Sequence, residues 1–136
     1  MKRNRLLATT LAMTIATIAL LTGCQTAPEE IPEDLEPAEY FQRAQEAVDS
    51  KQYETALAYY EAVVERYPDD PATQVQAQYE IAFITYKMGN GERAVELFNE
   101  LLARYEESDA GTLPQWPRVL AEKVRDNIQA QATAAE

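Results

Sequence analysis

A gapless internal repeat of 38 residues constrains this chain more than any other feature. Residues 53–67 (YETALAYYEAVVERY) align with residues 91–105 (GERAVELFNELLARY). Ala56 falls on Ala94, Tyr60 on Phe98, Val63-Val64 on Leu101-Leu102, and Arg66-Tyr67 on Arg104-Tyr105. A period of that size marks one supersecondary unit that cannot bury its apolar face alone, so neighbouring units must stack. The apolar spacing predicts helices over 38–50, 53–67, 71–88, 92–107 and 117–131, and no alternating run predicts a strand. Asp70-Pro71 offers an N-cap followed by proline at the first helical position. Gly89-Asn90-Gly91 stops a helix, and Pro117 can open the last one. The expected fold is all-α: two helical hairpins, at about 38–71 and 75–107, closed by a capping helix at about 117–131.

In that capping helix Val119, Leu120, Val124 and Ile128 are expected to form the apolar side. Trp116 is expected to fold onto the seam beside it.

The repeat resembles the tetratricopeptide family. Tyr40, Ala44, Tyr53, Ala56, Tyr60, Val63 and Pro68 carry the likeness in the first unit, and Ile81, Ala82, Tyr86, Gly89, Ala94, Phe98 and Leu101 in the second. Arg43, Gln78 and Glu106 depart from it: the first two stand where the family has large apolar residues, the third where it has proline. The junction Arg66-Tyr67-Pro68-Asp69-Asp70-Pro71 is similar to that of envelope members, the BamD-like assembly lipoproteins and the Tol-associated coordinator. The resemblance implies that the first helix of each hairpin lines a concave groove. It therefore assigns partner binding to Phe41, Gln45, Gln76, Tyr79, Phe83 and Tyr86, with Val48 beside them. Tyr79, Phe83 and Tyr86 are spaced as one helical stripe. Tyrosine and phenylalanine suit an interface core, and the glutamines can bond an extended peptide backbone.

The N-terminus reads as an address. Lys2, Arg3 and Arg5 precede a 16-residue stretch, Leu6 to Leu21, that is too short for a comfortable membrane span and fits a secretory signal of residues 1–23. Leu21-Thr22-Gly23-Cys24 resembles a bacterial lipobox. The resemblance implies cleavage before Cys24, acyl chains on that residue, and a membrane-anchored protein on the periplasmic face, with Gln25 pointing to the outer rather than the inner membrane. Residues 24–37, with Pro28, Pro32, Pro37 and five acidic side chains, are expected to form an extended tether. Thirteen residues of it would reach roughly 40 Å. Residues 38–136 make the helical domain.

Composition narrows the function. The chain has 12 Lys+Arg, 23 Asp+Glu and no His, a formal charge of −11. Cleavage would remove three basic residues and leave −14. Such acidity speaks against a nucleic-acid partner. The lack of His, one Cys on the lipobox and no phosphate-cradling loop speak against catalysis, a cofactor or a metal. The expected function is a non-enzymatic adaptor, anchored through lipidated Cys24, that binds an envelope protein or peptide segment in outer-membrane assembly or envelope organisation. The alternative is an accessory ligand- or subunit-binding component of an envelope transporter.

Overall fold

The computed structural model describes residues 31–107 and 110–134. The signal segment and Cys24 lie outside the described residues. Among the described residues five helices follow one another: α1 Pro37–Asp49, α2 Tyr53–Arg66, α3 Pro71–Lys87, α4 Gly91–Ala103 and α5 Gln115–Ala134. Two 3-10 turns, Arg104–Glu106 and Ala110–Thr112, lie between α4 and α5. Each helix packs on the next, and α3 also touches α5. The architecture is tetratricopeptide-like: two antiparallel hairpins, α1–α2 and α3–α4, and a C-terminal helix.

Local chemistry sets the boundaries. Glu36 and Glu39 form a reciprocal capping box ahead of Pro37. Asp70 caps α3, accepting from the Thr73 amide at 3.1 Å and its hydroxyl at 2.6 Å. Those two bonds hold the Asp70 carboxyl below its usual pKa. The α1–α2 and α3–α4 turns are copies of each other. Lys51 (φ 59°) and Gly89 (φ 90°), 38 residues apart, both adopt positive φ. Gln52 N–H donates to Ala47 C=O and Lys51 N–H to Val48 C=O, and Asn90 to Thr85 and Gly89 to Tyr86 repeat the pattern. These are Schellman closures.

Two apolar clusters meet at α3. Tyr40, Ala44, Ala56, Tyr60 and Val63 pack with Ala77 and Ile84 of α3, while Val75, Tyr79 and Ala82 of α3 pack with Ala94, Phe98, Leu101, Ala121 and Ile128. Serving both clusters makes α3 apolar around most of its girth, and its only charges are Glu80 and Lys87. Each large side chain so buried contributes about 1.5–3 kcal/mol. The exposed ion pairs of Arg93, Arg118 and Arg125 contribute about 0–1 each, so the clusters set the stability. Gln74, buried, ties the hairpins by donating to Val64 C=O at 2.6 Å and Tyr67 C=O at 3.0 Å. The departure at Gln78 has a local reason: it accepts from Arg104 at 3.3 Å, in the place where Tyr40 accepts from Arg66.

Three expectations need correction. First, α5 begins at Gln115, and its buried stripe is Pro117, Ala121, Val124 and Ile128 rather than one including Val119 and Leu120. Val119 is 59% exposed and Leu120 37%. At about 100° per residue, Val119 lies nearly half a turn away from the buried stripe. Second, the last turn after α4 is 3-10, so the predicted helix to 107 ends at Ala103. Third, residues 31–36 are not free tether. Leu35 is buried and Ile31 packs on the first cluster. Pro32 C=O accepts from Arg66 at 2.5 Å and from the Tyr40 hydroxyl at 2.7 Å, and Leu35 C=O accepts from the Tyr67 hydroxyl at 2.5 Å. The Arg66 guanidinium also sits 5.4 Å from the Tyr40 ring centroid.

Candidate functional site: the face shared by α1, α3 and α5

The assigned binding residues do not all reach one surface. Phe41 is half-buried and meets the Tyr60 ring edge-on at 5.4 Å. Gln45 is exposed, and its amide donates to Asp49 at 3.2 Å. Gln76 is half-buried, donating to Ala72 C=O at 3.0 Å. Tyr79 corrects the groove assignment, because at 6% exposure it belongs to the second cluster. Its ring lies against Phe83 (6.0 Å, interplanar 9°), Phe98 (6.0 Å) and Trp116 (5.3 Å, interplanar 78°). Burial pushes its phenol pKa up, with Glu80 adding to the effect. Phe83 and Tyr86 pack beside it but stay half-exposed.

The physical reason is phase. Val75, Tyr79, Ala82 and Tyr86 recur at +4, +3, +4 and turn toward α4 and α5. Gln76, Glu80, Phe83 and Lys87 recur with the same steps one residue later, and none of the four is fully buried. That second stripe is the solvent-reaching side of α3. On α5 the spacing repeats in Trp116, Leu120, Lys123 and Asn127, all exposed. Trp116, 40% exposed, covers Tyr79 edge-on and links the α3 and α5 stripes.

Sequence reasoning missed Glu80. Its carboxyl is half-buried, and that burial raises its pKa. Tyr60 reaches the same place from α2: its phenol pKa is raised by burial first, then by Glu80 of α3 and Asp49 of α1. Tyr60 thus meets Phe41 of α1 and packs with Ala77 and Ile84 of α3. The signal available in the sequence was a single Glu inside an otherwise apolar and amide-bearing helix.

A cleft of about 750 Å³ lies elsewhere, between the α3–α4 turn and the far half of α5, lined by residues including Gly91, Val95, Ile128 and Ala132. Trp116 does not line it. Among the described residues no group of three acidic or Cys side chains could hold a metal, and no helix is long and apolar enough to cross a membrane.

Comparison with known proteins gives these hairpins relatives. The YfiO family, described as an outer membrane lipoprotein, matches residues 33–121. A protein of Treponema pallidum described as uncharacterized is 30% identical over 99 residues, covering 71% of this chain and 40% of that protein. The outer membrane protein assembly factor BamD of Vibrio cholerae is 30% identical over 95 residues, covering 68% of this chain and 39% of BamD. The chain therefore spans about two fifths of the length of these relatives. No solved structure matches it.

Proposed function

The chain belongs to the YfiO family of outer membrane lipoproteins, and we propose that it is a non-catalytic adaptor in outer-membrane protein assembly, anchored by lipid on Cys24 and facing the periplasm. The family match over both hairpins carries the reading, and the name of the Vibrio relative, an assembly factor, gives it direction. The α1–α3–α5 face supplies the capture surface. It combines half-exposed Phe41 and Phe83, exposed Trp116 and Leu120, and the amides of Gln45 and Gln76. Aromatic and aliphatic anchors among polar groups are the usual make-up of an interface core and its rim.

The clamp on residues 31–36 sharpens the tether. Only Gln25 to Glu30 separate the lipid-bearing residue from Ile31, so the distance they can span is at most roughly 25 Å rather than 40 Å. The domain would sit close to the headgroups, with its acidity keeping it off an anionic surface.

Site-specific photocrosslinking in intact cells tests the surface. A photoreactive residue at Phe83 or Trp116 is expected to crosslink an envelope protein, while one at Glu61 or Glu65, exposed on α2, is not. Equal yields from both sets would refute the groove. Cys24→Ala is expected to move the protein out of the membrane fraction; unchanged fractionation would refute the anchor.

A further inference from the structure

The seam around Glu80 narrows what the groove holds, and the argument rests on the groove reading above. Glu80 is half-buried, and among the described residues it meets neither a cation nor a hydrogen-bond donor. Tyr60 is 1% exposed, and its hydroxyl likewise engages no hydrogen-bond partner among the described residues. Polar groups this far from bulk water are normally paired. Neither is sealed off, since no buried side-chain oxygen among the described residues lacks both a partner and contact with solvent. Tyr60 packs in one cluster with Ala77 and Ile84 of α3, which stand three residues before and four residues after Glu80 on that helix, and Glu80 and Asp49 of α1 both act electrostatically on its phenol. Phe41 flanks that seam from α1, and Phe83 stands one helical step from Glu80 on α3.

We infer that this face takes an extended partner segment through a basic side chain, Lys or Arg, whose aliphatic stem lies between Phe41 and Phe83 and whose cation meets Glu80 and the Tyr60 hydroxyl. The chemistry fits each part. A long basic side chain can bury its stem on apolar surface while its head stays polar. A charge-assisted bond to a carboxylate is among the stronger hydrogen bonds available. The Glu80 carboxylate, which has no partner among the described residues, calls for a donor, and the neutral Tyr60 hydroxyl can accept from the same cation through its oxygen lone pair. Lys87 lies two turns from Glu80 on the same stripe, so it disfavours a second basic residue at that end of the segment and helps fix its direction.

Fluorescence anisotropy with a labelled peptide, Ser-Gly-Phe-Val-Lys-Val-Phe-Gly-Ser, tests this against counterparts carrying norleucine or Glu in place of Lys. The Lys peptide is expected to bind the domain at least about tenfold more tightly than either counterpart. Glu80→Gln is expected to abolish that preference, while Glu61→Gln leaves it intact; a thermal melt confirms that the Glu80 variant is folded. Equal binding of the three peptides, tighter binding of the Glu peptide, or a preference that survives Glu80→Gln overturns the inference. If the peptides show no Lys preference while crosslinks still form from position 83, the basic anchor fails and the groove stands. If crosslinks from position 83 are absent as well, both fail.

Discussion

Lys51 and Gly89 occupy the same place in the two repeats, and the fold asks the same backbone of both. A left-handed conformation costs an L-residue about 1–2 kcal/mol, whereas glycine is free of that penalty and instead loses about 0.5–1 kcal/mol of backbone entropy on folding. Lys51→Gly therefore nets a gain of about 0.5–1 kcal/mol. Gly89→Ala has the opposite sign. No atom lies within 4 Å of a Cβ built there, so its cost is conformational alone, about 1 kcal/mol. In a domain near 100 residues, 1 kcal/mol moves the melting temperature by about 4–8 °C. Circular dichroism melts and urea titrations of the purified domain should show Lys51→Gly a few degrees above the parent and Gly89→Ala a few below. The double variant should return close to the parent value, since the two turns share no partners. Destabilisation by Lys51→Gly, or a neutral Gly89→Ala, would show that the turns are not governed by their φ values.

Three further outcomes follow from the same geometry. Glu80 has a raised pKa from burial, so its protonated form is favoured by the fold; that stability is fully present below the unfolded pKa of a glutamate and is lost as pH rises through the folded value. Glu80→Gln should therefore melt higher than the parent near pH 7, with the gap closing as pH falls toward 4, and a gap that is constant with pH would exclude the burial argument. Tyr79→Ala removes a core ring and should cost about 3–5 kcal/mol in a urea titration, whereas Phe83→Ala, half-exposed, should cost clearly less; comparable losses would mean that the two stripes of α3 are wrongly assigned. Arg66→Ala removes a charge-assisted bond to Pro32 C=O, and a loss of about 1.5 kcal/mol in docking the 31–36 segment should speed its cleavage by a Glu-specific protease about tenfold. An unchanged cleavage rate would show that Leu35 and the Tyr40 and Tyr67 hydroxyls hold the segment without Arg66.

The hairpins were legible because the repeat aligns Ala56 with Ala94 and Tyr60 with Phe98 without a gap, and both pairs prove to be buried. The phase of α3 was not legible. A helix that faces two clusters has apolar residues on most sides, so spacing alone cannot separate the stripe of Tyr79 and Tyr86 from that of Glu80 and Phe83. In α5 the misreading had the reverse cause: Pro117 and Ala121 make the contact although they are small, and larger Val119 and Leu120 draw the eye while pointing outward. The clamp on residues 31–36 left no local trace, since its acceptors are backbone carbonyls and its donors come from Tyr40, Arg66 and Tyr67.

What the repeat does transmit is position-by-position equivalence. Lys51 can be placed at positive φ because Gly89 stands 38 residues on, and Gln78 can be placed against Arg104 because Tyr40 stands against Arg66. The same equivalence sets Gln42 of α1, an exposed residue that donates to Glu46, over Glu80 of α3. At the repeat position where α1 carries a neutral amide with a partner, α3 carries a half-buried carboxylate that has none among the described residues. The fold is satisfied by the first arrangement, so packing gives no reason for the second. Under the inference above, a carboxylate whose burial opposes its own ionisation would be accounted for by the cation it binds.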